Sequence, residues 1–157
     1  MRNFRHFVLF AFVLLLAACS SGPVRRISPP AASIQQLTVE ADGSWKVDLR
    51  LQNYSSIPMR FDSAKLAMAV AGQPAGELQA SPGISIGPES ADVVSVSFAP
   101  AVAAKLVVAD ALAGRQTVAY TLQGTLNATP EDAKQREFEV DSRNTLSPMP
   151  GLEGVLR

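Results

Sequence analysis

The sequence is poor in the side chains that most often do chemistry. One cysteine, Cys19, and one histidine, His6, are all that its 157 residues contain. His6 lies in an N-terminal stretch that reads as a removable leader, and Cys19 follows directly after it. The remaining chain then offers neither imidazole nor free thiol, which excludes a cysteine nucleophile, a histidine general base and a zinc site built on the usual nitrogen and sulfur ligands. No disulfide can form either, so the fold must stand on packing alone. Charge of one sign is also missing. The 14 basic residues match the 14 acidic ones, and losing Arg2 and Arg5 with the leader leaves a slight acidic excess. Such a chain has no basic patch suited to nucleic acid, and no nucleic-acid partner is expected.

What is present begins with an address. Arg2 and Arg5, the apolar run from Phe7 to Leu16 and the small residues Ala17 and Ala18 are the three parts of an export signal. The run is shorter than the roughly 20 apolar residues a comfortable membrane span needs. The next residues, Leu16-Ala17-Ala18-Cys19, resemble the bacterial lipobox, which implies cleavage between Ala18 and Cys19 and acylation of the cysteine. Acylation also answers what an odd cysteine does in an exported chain. At about 0.8 kcal/mol per buried methylene, several acyl chains hold a protein on a bilayer effectively permanently. Ser20 after the cysteine, by resemblance to bacterial sorting rules, implies the outer membrane, with the domain facing the periplasm.

Residues 1–18 are thus expected to be the signal peptide and 19–32 a flexible tether, since "SSGPVRRISPPAA" mixes Ser, Gly and Pro with little apolar content. Arg25 and Arg26 in it read as solvated or as touching lipid headgroups. In "WKVDLRLQN", Trp45, Val47, Leu49 and Leu51 alternate with polar residues, the period of a half-buried strand. The preceding "IQQLTVE" reads as its hairpin partner, with Asp42-Gly43 in the turn. Further strands are predicted over 61–70, where alanines keep a helix open, near 77–80, over 92–98, over 117–126 and over 136–142. One helix is predicted over 100–112, with Pro100 in its first turn and Gly114 as its C-terminal cap. About seven strands with one short helix predict an all-β, immunoglobulin- or fibronectin-type antiparallel sandwich over 33–142, followed by a C-terminal extension, 143–157. The apolar residues of that extension suit wrapping of the sandwich better than partner binding.

Three patterns imitate chemistry. "GISIG" around Ser85 fits the nucleophile elbow of serine hydrolases, yet no helix is predicted after it and no histidine remains to take the proton. Glu137, Glu139 and Asp141 share one strand face, but a solvated face opposite Phe138 and Val140 explains them without a metal. Asn53-Tyr54-Ser55 and Asn127-Ala128-Thr129 match the glycosylation sequon, an empty match in a bacterial lipoprotein. No catalytic residue, metal ligand or cofactor is therefore assigned.

The segment "VDLRLQNYSSIPMRFDSAKLAMAVAGQPAGE" resembles the late embryogenesis abundant group 2 domain, also called the WHy (water stress and hypersensitive response) domain. It carries the alternating strand ending in Asn53, a short polar loop closed by Ile57-Pro58, and the glycines Gly72 and Gly76. "YTLQGTL", with Gly124, resembles the family's penultimate strand. Tyr54 departs from the proline usual after the asparagine. These motifs are structural, so the resemblance implies a sandwich and no active site. It implies a non-catalytic protective or binding module associated with desiccation and envelope stress. Two other functions stay open: a structural accessory docking on an envelope protein complex, and a carrier of an apolar ligand between the sheets.

Overall fold

The computed structural model describes residues 25–157. The predicted leader, with its expected cleavage between Ala18 and Cys19, lies outside them. Among the described residues two antiparallel sheets face each other. One holds β1 (Ala31–Val39), β2 (Trp45–Gln52), β6 (Ala91–Phe98) and β9 (Val155–Leu156), in the order β6-β2-β1-β9. The other holds β3 (Met59–Val70), β4 (Gln73–Ala80), β7 (Val118–Pro130) and β8 (Arg136–Leu146), in the order β4-β3-β7-β8, with β5 (Ile84–Ile86) also on β3. Among the described residues a single helix, α1 (Val102–Gly114), connects β6 to β7. This is the predicted all-β sandwich with one short helix, with no closed barrel.

Alternation builds the core. Trp45, Val47, Leu49 and Leu51 are buried from β2, and Phe61, Leu66, Met68 and Val70 from β3. Fully burying such side chains stabilises by about 1.5–3 kcal/mol each. Trp45 pairs across the ladder with Phe98, their rings edge to face at 5.9 Å. The sheets are also joined by a polar bond: Tyr120 of β7 is buried, and its hydroxyl accepts the Ile34 N–H at 2.9 Å beside a bulge in β1. Burial pushes the Tyr120 phenol up from its ordinary value.

The differences from expectation are local. Among the described residues nine strands replace the expected seven or so, because β5 and β9, three and two residues long, are too short to show a period. The helix option over 61–70 falls away, since that run is the central strand of its sheet, paired on both sides. The helix starts later and ends later than predicted: Pro100 precedes it, and the left-handed C-terminal residue is Arg115 (φ 51°), not Gly114. The N–H groups of Arg115 and Gln116 close that end on the carbonyls of Leu112 and Ala111.

The segment read as a tether also needs correction over its described part. Ala31 and Ala32 already pair with Gln52 and Leu51, and Arg25 to Ser28 are bonded to loops of the sandwich. The C-terminal residues wrap as expected. Leu156 and Val155 pair with Leu37 and Thr38 on the edge of β1, and Leu146, Val155 and Leu156 are buried.

Candidate functional site

The two ends of the sandwich are built differently. At one end lie the loop after β2, the turn before β6, the turn between β7 and β8, and the N-terminal residues Arg25 to Ser28. Asn53 is the hub of this loop end and is completely buried. Its Nδ2 donates to the carbonyls of Ile57 (2.9 Å), Gly87 (2.9 Å) and Ile86 (3.1 Å), and its Oδ1 accepts the Ser55 N–H at 2.8 Å. Its own N–H goes to the Ser90 carbonyl. One amide therefore ties the loop after β2 to the segment between β5 and β6. The bond from the Ser55 N–H is the two-residue turn that asparagine favours. Pro58 closes the same loop, and its carbonyl accepts the Glu131 N–H from the β7–β8 turn.

Ser55, also fully buried, carries the network outward. Its hydroxyl accepts the Ser28 N–H (3.0 Å) and donates to the Ser28 carbonyl (3.2 Å). Arg26 and Ser56 exchange backbone and side-chain bonds, and the Arg26 guanidinium reaches the Tyr54 carbonyl and Glu89. Arg25 bonds the Glu131 carbonyl and pairs with Asp132 at 3.2 Å. Sequence reasoning gave no role to Ser28, Ser55 or Ser56. The only available signal was the Ser55-Ser56 pair two residues after the Asn at a strand end.

The glycines of the motif sit apart from this hub. Gly124 of β7 faces Leu66 of β3, and a Cβ there would stand 2.1 Å from the Lys65 carbonyl oxygen. At Gly76 of β4 a Cβ would stand 2.8 Å from the Phe98 ring. Both have positive φ, 153° and 151°. Gly72 (φ 78°) follows Ala71 (φ 46°) in the tight β3–β4 turn, two positive φ values in succession as such hairpins require.

The family model LEA_2, late embryogenesis abundant protein, matches residues 48–144, from within β2 to the last residues of β8. The chain belongs to the late embryogenesis abundant protein family. No curated protein sequence matches it. Solved structures resemble this late embryogenesis abundant protein at low identity. The solution structure of an Arabidopsis thaliana protein shares 13% identity with a TM-score of 0.49, covering 81% of this chain and 83% of that one. The X-ray structure of a structural genomics target shares 11% with a TM-score of 0.48, covering 81% and 92%. A crystal structure of an Archaeoglobus fulgidus protein shares 12% with a TM-score of 0.40, covering 76% and 97%. Family membership points to a stress-related protein, and the family is generally non-catalytic.

The side chains that imitate chemistry are dispersed. Ser85 lies exposed in β5, opposite Arg60, with a turn and not a helix after it. Glu137, Glu139 and Asp141 are exposed on the outer face of β8. Among the described residues no three His, Cys, Asp or Glu side chains are grouped to hold a metal ion, and no helix is long and apolar enough to cross a membrane.

The opposite, helix end is more apolar on its surface. There α1 lies near the Asp42-Gly43 turn, the β3–β4 turn and residues 148–154. Asp42 accepts bonds from the hydroxyl and N–H of Ser44, which hold its carboxyl below the ordinary value. The helix buries Ala104, Val108 and Ala111 and exposes Val102 (72%) and Leu106 (63%) with Ala103, Ala109 and Ala113. An open groove of about 680 Å³ beside it is lined by Leu112, Arg115 and residues 148–154, among them the exposed Leu152.

Proposed function

We propose that this chain is a non-catalytic protective module of the bacterial envelope, of the WHy type, anchored through acylated Cys19 to the outer membrane and facing the periplasm. Family membership carries the stress-related part of this reading. The lipobox-like Leu16 to Cys19 carries the anchor. Dispersal of the polar side chains fits a module that acts by binding or shielding. Mass spectrometry of the native N-terminus should find a mature chain starting at an acylated Cys19, and Cys19→Ala should release the protein from the membrane fraction. A deletion strain should survive drying, cold or osmotic shock less well; unchanged survival under all three removes the protective role.

One observation favours a second reading, a structural accessory docking on an envelope protein. Val102 and Leu106 project from a helix whose exposed residues are mostly apolar, with Asp110 the charged exception, whereas surface helices ordinarily turn a polar face outward. A photo-crosslinker at Leu106 that captures one defined envelope protein in living cells would favour docking over a free-standing role. The carrier reading has less support, because Leu37, Leu49, Phe61, Leu122 and their neighbours fill the space between the sheets.

A further inference from the structure

Where the chain leaves the sandwich determines which surface meets the anchor. Arg25 to Ser28 are bonded into the loop end, through the Ser55 hydroxyl, the Ser56 hydroxyl, the Tyr54 carbonyl and the β7–β8 turn. Only residues 20–24 lie between Cys19 and Arg25, the first bonded residue among the described ones. At about 3.3–3.6 Å per residue they reach no farther than roughly 20 Å, about half of what a free tether ending at residue 32 would reach. The eight residues of β2 run from the helix end toward the loop end. At about 3.4 Å each they separate the two ends by roughly 27 Å.

The loop end also has the chemistry of a headgroup-contacting surface. Tyr54 is 51% exposed there, a ring with a polar end of the kind enriched at membrane interfaces. Arg25 and Arg26 stand beside it with side chains 52% and 60% exposed, and Lys134 is exposed on the adjoining turn. Their partners Asp132 and Glu89 are more exposed still. Such solvated ion pairs are weak, so each guanidinium can exchange its carboxylate for a phosphate group while keeping its bond to the Glu131 or Tyr54 carbonyl.

We propose that the loop end, with its exposed Tyr54, Arg25 and Arg26, is seated on the phospholipid headgroups, and that the helix end is held away from the bilayer. This rests on the acyl anchor proposed above. The short link between Cys19 and Arg25 keeps the loop end at the surface and turns α1 outward.

The test uses the full-length acylated protein reconstituted in vesicles of phosphatidylethanolamine and phosphatidylglycerol containing a nitroxide-headgroup lipid. Acylation of Cys19 leaves an introduced thiol as the only reactive one. A fluorophore at Tyr54→Cys should be quenched several-fold more strongly than the same fluorophore at Leu106→Cys; both positions are exposed and tolerate the change. Equal quenching, or stronger quenching at position 106, on protein whose mass shows the acyl chains overturns the orientation and leaves the anchor standing. A mass without acyl chains overturns both.

Discussion

The loop end and the helix end of this sandwich achieve order by opposite means. At the loop end two buried polar side chains, Asn53 and Ser55, satisfy backbone groups from three separate segments. At the helix end the backbone largely satisfies itself, through the β3–β4 turn, the closed end of α1 and the pairing of β9, while the side chains are mostly small or apolar. A side-chain hub concentrates stability in one residue. A backbone turn spreads it over many. The lesson is that point substitutions should be felt very unequally at the two ends, although both look like ordinary loops in sequence.

Asn53→Ala gives the sharpest form of the contrast. It leaves the Ile57, Ile86 and Gly87 carbonyls without their donor and removes the turn bond to Ser55, so urea unfolding should show a loss of about 3 kcal/mol or more. A loss below about 1 kcal/mol would mean that water replaces the amide and the hub is not what orders this end.

Gly76→Ala probes the contact between β4 and the Phe98 ring on the helix side. The new methyl meets Phe98 at a positive φ, and a loss of about 1–3 kcal/mol is expected by the same measurement. If Asn53→Ala proves the milder of the two, the contrast between the ends is reversed.

Between the ends, Tyr120→Phe should lose about 1–2 kcal/mol, because the buried Ile34 N–H is left without an acceptor. The same variant has a pH signature. The folded protein holds the Tyr120 phenol above its ordinary value of 10.0, so above that pH the unfolded chain gives up the proton first and stability falls as pH rises. The stabilisation is complete below pH 10 and is lost through the alkaline range. Tyr120→Phe should flatten that alkaline slope in urea titrations.

The smallest effect belongs to the exposed face of α1. Leu106→Ser should change stability by no more than about 0.5 kcal/mol, since the side chain is 63% exposed. A larger loss would show that Leu106 contributes to the fold and is not merely a surface side chain.

Much of the architecture was legible because a period of two is written locally. Trp45 to Leu51 states its own strand and its buried face, and Asp42-Gly43 states its turn. β5 and β9 were not legible, because two or three residues carry no period and the partner strand alone defines them. The docking of Arg25 to Ser28 was hidden for a similar reason. Ser, Gly and Pro describe a tether just as well as a segment paired to Ser55 and Ser56, which stand 27 and 30 residues further on. Asn53 was visible as a turn residue at a strand end. Its reach to Ile86 and Gly87, more than thirty positions away, was not.

The sequence by itself determined which residues face inward on the longer strands and where chemistry is scarce. Alternation, composition and short motifs are local properties, and a local pattern suffices to state them. Tertiary structure alone decided that Asn53 and Ser55 together bind three segments, that Gly76 and Gly124 sit where a neighbouring ring or carbonyl leaves no room for a Cβ, and at which end the chain enters the sandwich. Each of these depends on groups far apart in the chain coming within bonding or contact distance, which happens only once the two sheets have closed on each other.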